Sequence, residues 1–337
     1  MKRWDVDKAN AWYSSQPWLV GCNFIPSSAI NQLEMWQAET FDIPTIEREL
    51  GWAADLGMNV VRVYLHDLAW GLDASGFTSR LDRFLRLAAN RGIRAILVIF
   101  DDCWNANPKT GRQPKPVPGV HNSGWLQSPG VARVNDPSSW PRLETYVRNV
   151  IGTFRQDARV LMWDLYNEPG NNKQAEQSLP LLCHVFEWAR SAEPSQPLTA
   201  GLWFDNASLN TFQTEASDVL TFHNYRDAGD LASQIARLRK HRRPLICTEW
   251  LRRGHSDVAT CLPVFCQQRV GCCNWGLVNG KTQTIYPWGT AAGTPEPAVW
   301  FHDLLRQDGS PFDPEEVRLL KTMTAQTRAL PTGAGAA

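Results

Sequence analysis

Eight short apolar runs recur along the chain, separated by polar or amphipathic sequence. They are "WLVGCNFI" (18–25), "NVVRVYL" (59–65), "IRAILVIF" (93–100), "VLMWDLYNE" (160–168), "PLTAGLW" (197–203), "VLTFHNY" (219–225), "PLICTEW" (244–250) and "VGCCNWGLV" (270–278). The runs are near-continuous rather than alternating, as expected of strands covered on both faces of a parallel sheet. The intervening segments carry a helical period. "TIERELGWAADLG" (45–57) places Ile46, Leu50, Ala53 and Leu56 on one face. "TSRLDRFLRLAANRG" (78–92) and "LASQIARLRKH" (231–241) repeat the pattern. Gly57 and Gly92 stand where a left-handed residue closes a helix.

Eight strand–helix units predict an α/β fold, a (β/α)8 TIM barrel with long loops after strands one and three. An open doubly wound sheet would carry a glycine-rich phosphate turn after its first strand, and "GCNFIPSSA" is not one. One catalytic domain is expected over residues 1–330, because a barrel uses ~250 residues or more as a single unit. The tail "PTGAGAA" (331–337) reads as disordered.

Composition narrows the picture. The 34 basic and 34 acidic side chains balance, so charge supplies no reason to expect nucleic acid or an anionic membrane as partner. No apolar stretch approaches the ~20 residues of a membrane span. The N-terminus, "MKRWDVDKANAWYSSQPWLVG", has charges and no apolar core of a secretory signal, which points to the cytoplasm. The eight Cys show no CxxC pair and read as reduced, mostly buried thiols. Adjacent Cys272 and Cys273 should face opposite sides of a strand. Sixteen Trp against six Tyr hint at a lined cleft, since flat indole faces suit the apolar faces of sugar rings. Nothing in the pattern specifies an oligomer.

Catalytic residues of such barrels lie at the C-terminal ends of strands. Polar residues collect there: Arg62 and His66 on and after strand two, Asn167-Glu168 ending strand four, His223-Asn224-Tyr225 ending strand six, Glu249 in strand seven, and Asn274-Trp275 in strand eight. Strands four and seven lie near opposite sides of the ring, so two carboxyls face each other across its mouth. That is a glycosidase arrangement, in which one acid protonates the leaving oxygen while the other carboxylate attacks the anomeric carbon. The acid's site is expected to favour the neutral form, and a guanidinium is expected to keep the nucleophile ionised.

"YNEP", "TEW", "VVRV" and "HNY", in this arrangement over residues 18–305, resemble glycoside hydrolase family 5 of clan A. The resemblance implies Glu168 as acid/base, Glu249 as nucleophile and Asn167 as partner of the sugar 2-hydroxyl. It also implies Arg62 and Tyr225 as partners of Glu249, His223 in the network around both carboxylates, and Trp275 as platform under the sugar. No cofactor or metal is implied. The chain departs from many family members at strand three, which ends "VIFDDCW" where a His is common. Either His66 or His121 would take over that contact or the subsite differs, and Asp101 and Asp102 receive no role.

The loops after strands one and three should carry specificity. The first holds Asn31, Gln32, Glu34 and Trp36. The second, Asp101 to Pro137, holds Trp104, His121 and Trp125, and loops this long are usually functional. Two such insertions wall off one end of a groove, which favours exo-action. The loop motifs resemble a branch of family 5 that includes β-mannosidases of the mannose-β-1,4-N-acetylglucosamine core of N-glycans. The expectation is therefore a retaining β-glycosidase acting on an oligosaccharide, a β-mannosidase by preference. An endo-acting glucanase, mannanase or xylanase is the same-family alternative, and a non-catalytic sugar-binding barrel is the alternative from another class. A metal-dependent hydrolase would want clustered His ligands, and none of the seven His residues pairs that way.

Overall fold

The computed structural model describes residues 2–328, so the tail at 331–337 lies outside the described residues. The strands are β1 Val20–Asn23, β2 Val60–Tyr64, β3 Arg94–Asp101, β4 Val160–Asn167, β5 Leu198–Thr199, β6 Leu220–His223, β7 Leu245–Trp250 and β8 Gly271–Asn274. All the ladders are parallel, in the order β5-β4-β3-β2-β1-β8-β7-β6. This is sequence order around a ring with one seam, between β5 and β6. Leu202 stitches the seam: its N–H donates to the Thr221 carbonyl (2.9 Å), and its carbonyl accepts from the His223 N–H (2.9 Å). The result is a nearly closed (β/α)8 barrel.

β5 is far shorter than its apolar run, because side chains take over the backbone bonds beyond Thr199. The Ala200 N–H goes to Ser217 Oγ (3.3 Å), and the Gly201 carbonyl accepts from Gln213 Nε2 (2.6 Å). The helices begin a few residues ahead of the apolar period, at side-chain caps. Asp42 caps Ile43–Asp55, Asp73 caps Ala74–Ala89 and Asp227 caps Ala228–Leu238, each accepting from a first-turn N–H. Gly57 and Gly92 have φ of +83° and +71°. At Gly57 a Cβ would also strike Thr324, so that helix stop is set by space as well as by backbone.

Two cores follow from the alternation of side chains along each strand. Leu19, Val60, Ile96, Met162, Val219, Ile246 and Cys273 fill the inside of the barrel at its base. Val61, Leu97, Trp163, Cys247 and Cys272 belong to the larger core shared with the helices. Cys272 and Cys273 thus do face opposite sides. All eight cysteines are free thiols and six are buried. Above the inner apolar layer the barrel interior turns polar, with Arg62 and Asp164 fully buried. No described helix is long and apolar enough to cross a membrane.

Long segments follow β1 and β3, as expected. A third, between Trp275 and the helix Pro314–Arg328, is just as extensive. It lacks any period and was not anticipated.

Candidate active site

β4 ends at Asn167, and Glu168 then takes a left-handed backbone (φ +43°). That conformation is uncommon for a residue with a Cβ. The turn is tied down behind it: the Gly170 N–H donates to Asp102 Oδ2 (2.9 Å) and Trp203 Nε1 donates to the Pro169 carbonyl (3.0 Å). Asp102 also accepts from the Tyr166 hydroxyl (2.7 Å) and from Ser178 Oγ (2.5 Å). Asp102 is thus the anchor of the turn that presents Glu168.

Three groups meet the Glu168 carboxylate. His223 Nδ1 lies 2.8 Å from Oε1, while Asn171 Nδ2 (2.6 Å) and Cys103 Sγ (3.2 Å) donate to Oε2. Burial opposes ionisation here, but His223 and the two donors outweigh it and hold the carboxyl below its usual value. This reverses the expectation of a site that favours neutral Glu168. His223 Nε2 is buried with no hydrogen-bond partner among the described residues.

Glu249 is gripped from the other side. Arg62 Nη1 and the Tyr64 hydroxyl each reach Oε1 at 2.8 Å, and the Tyr225 hydroxyl donates to Oε2 at 2.8 Å. His223 Nδ1 is 3.5 Å from Oε2, so one imidazole touches both carboxylates. Arg62 is itself saturated, bonding Asp164 (2.7 Å), Asn23 Oδ1 (2.9 Å) and Asn167 Oδ1 (2.6 Å). A guanidinium this buried needs such a shell, because each unpaired contact would leave a costly buried charge. One oxygen from each glutamate and a His223 nitrogen all lie within 4.8 Å of one another.

Residues 25–281 match the family model described as "Cellulase (glycosyl hydrolase family 5)". The chain belongs to glycosyl hydrolase family 5. It is therefore a glycoside hydrolase. No curated protein matches it in sequence. Among solved structures, the exo-beta-1,4-mannosidase Op5Man5 from Opitutaceae bacterium strain TAV5 is similar, with TM-score 0.62 and 16% identity. That match covers 93% of this chain and 60% of Op5Man5, so the chain spans less than two thirds of that protein. A GH5_18 protein from Streptomyces cattleya, solved with Manβ1-4GlcNAc, matches with TM-score 0.63 and 13% identity over 94% of this chain and 82% of that one. The endo-beta-1,4-mannanase from Thermotoga petrophila matches with TM-score 0.61 and 13% identity, over 94% and 78%.

In this family 5 hydrolase the remaining expected residues divide sharply. Trp275 and Trp125 stand beside Tyr64, ring centroids 5.0 to 5.9 Å apart, each nearly perpendicular to the Tyr64 ring and 61° from the other. Trp125 Nε1 donates to Asp101 Oδ2 (2.7 Å), and Asn167 Nδ2 donates to Asp101 Oδ1 (2.9 Å). Asp101 thus positions Asn167; burial pushes its carboxyl up to about 7. Trp104 and His121 stack (5.4 Å) and continue into a rim of Trp288, Phe301, His302 and Tyr225. Trp104 and Trp288 are the exposed members.

The structure does not bring the others to the carboxylates. Trp36 is fully buried among Phe41, Phe77 and Phe84, with its indole N–H donating to the Tyr64 carbonyl (2.8 Å). It supports β2 from outside and offers no face to a ligand. Gln32 is buried and braces the Leu126 carbonyl (2.9 Å). Asn31 braces the Gly124 carbonyl (2.9 Å) in the same loop, and Glu34 pairs with Lys281 (2.6 Å). His66 is fully buried, its Nδ1 accepting from the Leu68 N–H (3.1 Å) next to Asp67. Neither His66 nor His121 hydrogen-bonds Glu168 or Glu249: His121 Nδ1 lies 2.7 Å from the Tyr286 carbonyl.

The sequence reading missed Tyr64, Cys103 and Asn171, all of which touch a carboxylate. By distance, Glu168, His223 and Glu249 are the one group of metal-ligating type among the described residues. Arg62 already neutralises Glu249, and His223 Nδ1 is committed to Glu168. A divalent ion would have to displace both.

Proposed function

We propose that the chain is a retaining β-glycosidase, with Glu249 as nucleophile and Glu168 as acid/base, and that its sugar is a terminal β-linked mannose. The observation that carries the mechanism is that one oxygen of each carboxylate comes within 4.8 Å of the other. Retaining enzymes hold the two groups about 5–5.5 Å apart, while inverting ones leave ~6.5–9.5 Å for a water.

Asymmetry between the two carboxylates supports the roles. Glu249 receives a guanidinium and two phenols, which suits a group that must stay ionised and aimed. Glu168 lies 2.8 Å from His223 Nδ1, close enough for a shared proton to pass between them. A substrate that excludes water favours neutral Glu168, so the shared proton moves to its carboxyl, from which the glycosidic oxygen takes it. The C1–O bond breaks as Glu249 attacks, giving a glycosyl-enzyme. Glu168, now a carboxylate, then takes a proton from the water that cleaves the intermediate. Asn167, pinned between Arg62 and Asp101, presents its amide toward the 2-hydroxyl in this reading, and Trp275 lies under the ring.

The sugar assignment draws on the mannose-active proteins among the similar structures. Exo-action draws on the loops after β1, β3 and β8, which are packed together: Lys281 pairs with Glu34, and Gln283 Nε2 donates to the Val117 carbonyl (2.7 Å). These contacts tie the three loops to one another, as walling off one end of a groove requires. The endo-mannanase among the similar structures keeps an endo reading in play, and viscosity loss of a mannan solution discriminates it.

Hydrolysis of p-nitrophenyl β-mannoside, β-glucoside and β-xyloside tests the sugar; equal rates reject the mannose assignment. NMR of the first-formed product tests the mechanism: β-mannose must appear before α-mannose, and initial α-product rejects retention.

A further inference from the structure

Beside the carboxylate pair a recess opens between the end of β1 and the loops after β3 and β8. Tyr64, Asn122, Trp125, Trp275, Thr284 and Asp303 line it. Tyr64 joins it to the site already described, since its hydroxyl bonds Glu249.

Three features mark the recess as a built site. Asn122 is 1% exposed, yet neither its Oδ1 nor its Nδ2 has a hydrogen-bond partner among the described residues. Its backbone is fixed at φ +49°, with the N–H donating to the Thr282 carbonyl (2.8 Å). A buried primary amide left unpaired is rare and calls for a missing partner. Asp303 is also 1% exposed and has no ion pair among the described residues. Thr284 Oγ1 donates to its Oδ2 (2.8 Å), while Arg253 Nη2 bonds its backbone carbonyl (3.0 Å) instead of the carboxylate. Finally, Gly276 directly after Trp275 is left-handed (φ +77°), and a Cβ there would lie 2.3 Å from Asp303 Oδ1. The glycine lets the carboxylate come in against the indole's own backbone.

The lining combines edge-to-face aromatic rings, an amide able to donate and accept, two threonines and one carboxylate. It contains no lysine or arginine. Such a surface fits a neutral ring bearing hydroxyls and repels a carboxylated or phosphorylated one. We propose that Asn122 and Asp303 bind hydroxyls of the sugar on the non-reducing side of the scissile bond, and select a neutral sugar there over an anionic one. This rests on the β-glycosidase reading and names two residues that set its specificity.

The test uses Asn122→Ala and Asp303→Asn with p-nitrophenyl β-mannoside and its 3-, 4- and 6-deoxy analogues. Each variant is expected to raise KM about tenfold or more, with a smaller change in kcat. The penalty should collapse on the analogue that lacks the bound hydroxyl. Asp303→Asn should also narrow the gap between β-glucoside and β-glucuronide. Wild-type kinetics in both variants, or one equal penalty on every analogue, overturns the proposal. If the variants fail to fold, wild-type protein decides: a loss of about tenfold or more on one deoxy analogue supports it, and no loss on any overturns it. If no β-glycoside is turned over at all, the glycosidase reading is what has failed. Calorimetry of mannose on wild type and Asn122→Ala then judges the recess separately. Weaker binding by the variant supports it; equal binding, or none to wild type, overturns it.

Discussion

Replacing Glu168 with Gln separates chemistry from architecture at this site. The three contacts of the carboxylate, at 2.8, 3.2 and 2.6 Å, can all be met by a carboxamide. Its oxygen accepts from Asn171 and Cys103, and its NH₂ donates to His223 Nδ1 once that imidazole is neutral. The fold should therefore survive, with a melting temperature within a few degrees of wild type. What disappears is the transferable proton. General acid catalysis contributes ~10²–10⁴-fold, or about 3 to 5 kcal/mol at 1.36 kcal/mol per tenfold. The whole of that loss should fall on Manβ1-4GlcNAc, whose leaving oxygen is basic. With p-nitrophenyl β-mannoside the leaving group departs without help, so the first step stays fast. Stopped-flow absorbance should then show a burst of nitrophenolate followed by slow turnover, because water lacks its base in the second step. Equal losses of kcat/KM on the two substrates, or no loss on the disaccharide, would refute the acid/base assignment.

Other outcomes follow from the same contacts. Tyr64→Phe removes one of the donors to Glu249 and should lower kcat/KM about tenfold or more while leaving the protein folded; unchanged hydrolysis would deny that donor a part in the reaction. Glu49 is buried at Ser27, and burial raises its carboxyl to about 7. Because the folded value lies above the unfolded one, its contribution is present below about pH 4.5 and is lost as pH rises through 7. Glu49→Gln should flatten the fall in denaturant stability across that window by up to about 3 kcal/mol, and an unaltered pH profile contradicts this. Gly21 has no room for a side chain, since a Cβ would lie 1.8 Å from the Val60 carbonyl oxygen; Gly21→Ala should part β1 from β2 and yield insoluble or strongly destabilised protein, and a normal thermal melt would count against it. Incubation with a strong chelator should leave hydrolysis unchanged, and loss restored by a divalent ion would point to a metal on Glu168, His223 and Glu249.

The barrel could be read from its strands because a parallel sheet covered on both faces leaves long apolar runs. β5 is the exception that explains the rule: its run is as apolar as the rest, but Ser217 and Gln213 compete for its backbone bonds, and no pattern of residue types announces such competition. The two glutamates stood out because a charge at the end of an apolar run is expensive unless it has work to do. Tyr64 did not, since an aromatic in "VVRVYL" looks like one more buried strand residue. Cys103 and Asn171 lie in loops, where position depends on tertiary contacts. Trp36 misled for the opposite reason: a tryptophan in a polar loop resembles a sugar platform, yet its indole N–H found a backbone carbonyl and its rings found the core. The loop from Trp275 to residue 313 carries no period, so its part in the rim and recess emerged only from the fold.

The seam between β5 and β6 gives the two glutamates unequal footing. β7, which carries Glu249, is laddered to a neighbour on each side. β4 is laddered along most of its length to β3, but meets β5 only at Trp163 and Asp164, so its last residues before Glu168 are stitched along one edge. Local opening begins where backbone bonds are fewest. On the proposed roles, Glu249 is held by the ladder itself, whereas the hold on Glu168 rests on the groups behind its turn, Asp102 and Trp203, so those two side chains rather than the strand set where the acid/base can reach.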